Sequence, residues 1–130
     1  MRQHIALISL VVREYDEAID FFVGKLGFRL VEDTYIEAQQ KRWVIVAPQG
    51  EGQCQLLLAR ASTPGQVERI GSQTGGRVGF FLYTDDFQRD YDAYRAQGIE
   101  FVRPPTRETF GMVSVFKDLY GNLWDLVQPS

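Results

Sequence analysis

The sequence predicts an α+β fold made of two paired βαβββ modules. Three observations carry that expectation. Each half opens with an apolar, strand-like run followed by an amphipathic helix that a glycine closes. Three further short strand-like runs follow in each half. Landmark glycines also recur at a constant offset of 71 positions, Gly27 onto Gly98 and Gly50 onto Gly121.

The elements follow in order. Ile5–Val12 is a continuous apolar stretch, rich in β-branched residues, with Ser9 its only polar member. Such a run belongs in the interior, at the centre of a module or along the line where two pair. Residues 15–26 place Tyr15, Ala18, Ile19, Phe22, Val23 and Leu26 on one helical stripe. Acids sit in the first turn and Gly27 follows the last. Strands are expected at Phe28–Glu32, Arg42–Ala47 and Gln53–Ala61, with a Pro- and Gly-bearing turn between the last two. Module one is thus 1–61. Residues 62–76 read as a connector with a short helix near Pro64–Ile70. Module two, 77–130, repeats the pattern. It has a strand at Arg77–Thr84, a helix at Asp86–Gln97, a strand at Ile99–Val102 and a loop from Arg103 to Gly111. A hairpin of Met112–Phe116 and Leu123–Val127 closes it. A chain of 130 residues with this pattern is expected to form one domain.

Composition narrows the function classes. A net charge of -3 and the absence of any basic run argue against a nucleic-acid partner. Charged Arg13, Glu14 and Asp16 directly follow the first apolar run, which is too short for a signal sequence or a membrane span. Cys54 is the only cysteine, so no internal disulfide forms and a cytoplasmic location is expected. There is no nucleophile–base pair, no phosphate-cradling glycine loop and no redox cysteine pair. No cofactor is expected.

Two stretches, "EYDEAIDFFVGKLGF" and "FKDLYGNLWDL", resemble the vicinal oxygen chelate superfamily, which includes glyoxalase I, bleomycin- and fosfomycin-resistance proteins and extradiol dioxygenases. The resemblance spans nearly the whole chain, with Leu119 in the place of a proline and Asp125 in that of a glutamate. It implies sheets curled into a cup that holds a ligand or metal, and a homodimer. In metal-binding relatives the ligand positions fall here on Leu7, Leu57, Arg77 and Asp125. Of these only Asp125 offers a donor that a divalent ion accepts. Sole histidine His4 and Cys54 lie off those positions, so no metal is expected.

Asp125 stands alone among apolar neighbours in the last strand and needs a partner. Two readings are open: a bidentate pair with Arg77, or a carboxylate at the cup rim that meets only water. Strand parity puts Phe81 and Tyr83 on the cup face with Arg77, while Phe80 and Leu82 face the helix layer. Trp43 and Gln55 join the cup. These side chains form a wall for a flat organic ligand, or they pack together and fill the space. Arg107 and Phe110, in a loop that the resemblance sets at the cup mouth, either cover a ligand or form an exposed connector. The expected function is a metal-independent binder of a small organic molecule, such as a toxin or antibiotic that it sequesters. The alternative is an enzyme, either a lyase resembling lactoylglutathione lyase or a dioxygenase.

Overall fold

The computed structural model describes residues 1–130, which divide into two units, Met1–Ile70 and Gly71–Ser130. In the first unit a four-stranded sheet has the order β1-β4-β3-β2. Its strands are β1 (Leu7–Val12), β2 (Arg29–Ile36), β3 (Lys41–Ala47) and β4 (Gln55–Arg60). β1 runs parallel to β4, and the other pairs are antiparallel. Alternation sets the core: Leu10, Val12, Val44, Val46, Leu56 and Leu58 share one face and are buried. Helix α1 (Tyr15–Ile19) packs on that face through Tyr15 and Ala18.

Several sequence expectations need correction here. β1 is an edge strand of its own sheet, which excludes the centre of a module, the first of the two places expected for it, and Ile5 and Ile8 are exposed. The helix expected over 15–26 narrows to α1 and then widens into a π turn, Asp20–Lys25. The wider turn turns two consecutive rings inward, so that Phe21 and Phe22 are both buried and meet edge to face at 5.2 Å. β2 runs four residues beyond Glu32, to Ile36. The Arg42 guanidinium holds the Asp33 carboxylate at 2.7 Å, which lets a polar stretch stay in the ladder.

The second unit repeats the order as β5-β8-β7-β6. Its strands are β5 (Val78–Tyr83), β6 (Thr106–Glu108), β7 (Gly111–Lys117) and β8 (Leu123–Pro129), and β5 runs parallel to β8. Helix α2 (Pro64–Arg69) lies within the first unit, and α3 (Phe87–Ala96) follows β5. Phe80, Leu82, Trp124 and Leu126 form the face turned to α3. The Trp124 ring stacks on Phe80 at 4.4 Å and on Phe116 at 5.8 Å, and Tyr94 of α3 meets Phe116 at 5.5 Å. The strand expected at Ile99–Val102 is reduced to a single bridge, Phe101 to Phe116, and β6 forms where a loop was expected. Pro104 and Pro105 separate the two pieces, because neither has an N–H to give the ladder.

The turn before β8 is fixed by one carboxylate. Buried Asp118 accepts from the N–H groups of Tyr120 and Asn122, the Asn122 amide and the Trp124 indole. The Asn122 side-chain Oδ1 in turn accepts from the Gln73 N–H at 3.3 Å. Gly71 lies so close that a Cβ there would sit 2.0 Å from the Tyr120 carbonyl oxygen, at a φ of +78° that disfavours any side chain.

Candidate functional site

In the first unit the ends of β1, β3 and β4 meet beside the residues that precede β3. They enclose a cavity of about 470 Å³ lined by Ser9, Val11, Trp43, Leu57 and Ala59 from the strands. Gln39, Gln40, Lys41, Ser62 and Gln66 supply a polar rim. Ser9, Val11, Trp43 and Leu57 are residues that strand parity groups together, because the pairs Ser9–Leu57 and Ile45–Leu57 align their side chains on the face turned away from α1. Gln55 lies on that face too, opposite Leu7, but outside the cavity lining. An apolar, aromatic floor with an indole N–H and an amide-rich rim is suited to a flat organic molecule.

Sequence reasoning missed the rim and the group beside it. Arg42 and Arg60 both lie over the Tyr15 ring, at 5.2 and 5.4 Å from its centroid. Arg42 also reaches Asp16 at 2.8 Å and Asp33 at 2.7 Å. These two acids raise the Arg42 pKa, and the guanidinium holds Asp33 below the ordinary carboxylate range. Residues 15, 42 and 60 are far apart in sequence, and no local pattern links them. Gln40 adopts a left-handed φ of 50° at the turn into β3, a conformation rare for a residue with a side chain.

In the second unit Asp125 occupies the middle of β8, on the face turned away from α3. Its ladder neighbours are Phe81 of β5 and Val115 of β7. Phe81 and Tyr83, on the edge strand, are 62% and 68% exposed. The pair that sequence reasoning set between Arg77 and Asp125 does not form. Arg77 precedes β5, is exposed and makes no ion pair, and its carbonyl accepts from the Thr74 hydroxyl. The physical reason is a register shift between Val78 and Phe80, where β5 has one residue more than β8. Parity counted back from Phe81 does not survive such a shift. Burial pushes the Asp125 carboxyl up from its ordinary pKa, and the field of Arg103 opposes this only in part.

Arg107 pairs with Met112 on the face opposite to Asp125. It lines a groove of about 370 Å³ with Phe87, Gln88 and Gln128. Phe110 is exposed in the turn between β6 and β7, and its carbonyl accepts the N–H of Ser130. Arg107 and Asp125 therefore belong to different faces of one sheet.

No cluster of three or more His, Cys, Asp or Glu side chains is placed to hold a metal ion. Of the positions that the resemblance assigns to metal ligands, Leu7, Leu57 and Arg77 offer no donor and Asp125 alone offers one, and a single carboxylate does not fit a divalent metal. No helix is long and apolar enough to cross a membrane.

Comparison with known proteins gives this geometry its context. A protein of Shewanella frigidimarina (strain NCIMB 400) with no described function is 60% identical over 128 residues, covering 98% of this chain and 95% of its own. Among solved structures, TnmS3, described as an antibiotic binding protein from Streptomyces sp. CB03234, is 32% identical with a TM-score of 0.82. That match covers 99% of this chain and 98% of TnmS3. A glyoxalase/bleomycin resistance protein from the same Streptomyces is 29% identical with a TM-score of 0.74, over 96% of this chain and 100% of its own. The family model for the Glyoxalase/Bleomycin resistance protein/Dioxygenase superfamily matches residues 3–126. With these matches and two four-stranded sheets of the same strand order, the chain belongs to the glyoxalase/bleomycin resistance protein/dioxygenase superfamily.

Proposed function

We propose that this protein binds a small organic molecule without a metal, on the sheet faces turned away from its helices, and sequesters it rather than transforming it. The observation that carries the reading is the cavity with Val11, Trp43 and Leu57 at its floor, which has the size of a small-molecule site and joins apolar side chains to amides and the cationic groups of Lys41, Arg42 and Arg60. The likeness to TnmS3 supports the choice of a binder, because that protein is described as binding an antibiotic. The family alone does not decide this, since its scaffold hosts several chemistries. Of the four positions that the resemblance assigns to metal ligands, three hold Leu7, Leu57 and Arg77, and only Asp125 carries a donor.

The functional form in this proposal is a homodimer in a reducing compartment. Its support is the edge position of β1 and β5, which leaves Ile5, Ile8, Phe81 and Tyr83 exposed. An apolar sheet edge open to water invites a partner strand or a covering surface.

The test uses intrinsic fluorescence. Trp124 is buried, so ligand quenching reports mainly on Trp43. Titration with planar aromatic compounds, beginning with methoxynaphthalene, is expected to quench wild-type protein saturably. Trp43→Leu should weaken binding of the same compound by roughly tenfold or more, measured by calorimetry. Equal affinity in the two proteins, or no saturable binding by any compound of a broad panel, would overturn the reading. Small-angle scattering of the unliganded protein should give the mass of two chains.

A further inference from the structure

β8 is an inner strand of its sheet, laddered to β5 on one side and to β7 on the other. A carboxylate in the middle of such a strand has to find its donors among neighbouring side chains, since the backbone groups are committed. Asp118, seven residues earlier on the same hairpin, has four donor groups around it. Asp125 has none. Its Oδ1 is sealed from solvent and has no hydrogen-bond partner. Phe81 and Val115 flank it across the ladder, and Leu123 and Val127 precede and follow it on the same face. None of these can donate. The only charged group that acts on it is Arg103, which forms no ion pair with it.

Stability does not account for this acid, because an apolar side chain of the same size would leave nothing unsatisfied. The surroundings supply what a ligand needs instead: an exposed aromatic residue, Phe81, is the ladder partner of a carboxylate that lacks a donor. We propose that Asp125 is the polar anchor for a small molecule bound on this face of the second unit's sheet, its carboxylate accepting a hydrogen bond from an N–H or O–H group of an aromatic ligand whose ring rests against Phe81. The inference builds on the small-molecule reading and narrows it. The ligand class is an aromatic hydroxyl or amine, and aromatic carboxylates are rejected because they would set a second negative charge beside the first.

Calorimetry with four probes tests the assignment: the β-isomers of naphthol, naphthylmethylamine, methoxynaphthalene and naphthoate. Wild-type protein should bind naphthol and the amine roughly tenfold to a hundredfold more tightly than methoxynaphthalene, and naphthoate least of all. Asp125→Leu should abolish that ranking, bringing the affinities for naphthol and the amine down to that for methoxynaphthalene. Asp125→Asn, which keeps an acceptor oxygen, should retain the preference for naphthol and lose that for the ammonium. Equal binding of the four probes by wild-type protein, or a ranking that survives in Asp125→Leu, overturns the anchor and leaves the binder standing. Binding of none of the four contradicts both.

Discussion

The two units share a strand order but fasten their last hairpins differently. In the first, the turn between β3 and β4 is held by flexible, neutral or exposed side chains, with Arg29 donating to the Gly50 carbonyl and Gln49 to that of Gly27. The Gln53 amide donates to the carbonyls of Pro48, Gln49 and Gly50. In the second, the buried carboxylate of Asp118 gathers backbone, amide and indole donors and ties the turn to the ring that fills the core. A charged acceptor sealed from water strengthens every bond it receives, whereas an exposed amide competes with solvent for each of its own. The faces turned away from the helices contrast in the opposite sense. The first unit presents a finished cavity around Trp43, and the second leaves Asp125 without a donor. The unit with the tighter hairpin is the one that tolerates an unsatisfied acid three residues past its Asp118–Asn122 turn core, which points to function rather than loose folding.

The largest effect should come from the tight hairpin. Asp118→Ala strips four donor groups of their acceptor inside the protein and is expected to lower stability by about 3–4 kcal/mol in urea denaturation. Gly71→Ala should fall in the same range, since its new methyl group would overlap the Tyr120 carbonyl oxygen. Asp125→Leu should act with the opposite sign and raise stability by about 1 kcal/mol at neutral pH, a modest gain because the side chain is partly exposed. Its pH dependence follows from the raised pKa. A carboxyl that holds its proton more firmly in the folded state favours folding while protonated, and that contribution is lost as pH rises through the folded pKa. The margin of Asp125→Leu over wild type should therefore be smallest below the ordinary carboxylate range and should grow above it. The smallest effect should be that of Gln53→Ala, about 0.5–1.5 kcal/mol, because water replaces an exposed amide at little cost. If Gln53→Ala proved as damaging as Asp118→Ala, the contrast between the hairpins would be wrong.

Much of the fold was legible because it rests on period and spacing. Alternation separated Phe80 and Leu82 from Phe81 and Tyr83, and the glycine offset gave the repeat; Gly27 and Gly98 both adopt positive φ, at 74° and 81°. Illegible features were those in which one residue changes a register or a turn. The extra residue between Val78 and Phe80 turned a confident parity into a misplaced Arg77. A π turn after Ile19 and the break at Pro104-Pro105 changed elements whose overall pattern still read as regular. At the site, strand facing assigned Trp43 to the cup, and the ladder sets it on one face with Ser9, Val11 and Leu57. Tyr15 between Arg42 and Arg60 was not legible, because the contact joins three segments with no shared periodicity.

The central claim is binding that needs no metal, and one titration addresses it directly. Protein purified without chelator is analysed for Zn, Ni, Mn and Fe. Methoxynaphthalene and naphthol are then titrated into that protein, into protein treated with chelator, and into protein reloaded with each metal. Binding is expected to be the same in all three preparations, with no metal present in stoichiometric amount. A full equivalent of metal that disappears in Asp125→Leu, with ligand binding lost on chelation and restored on reloading, would contradict the account.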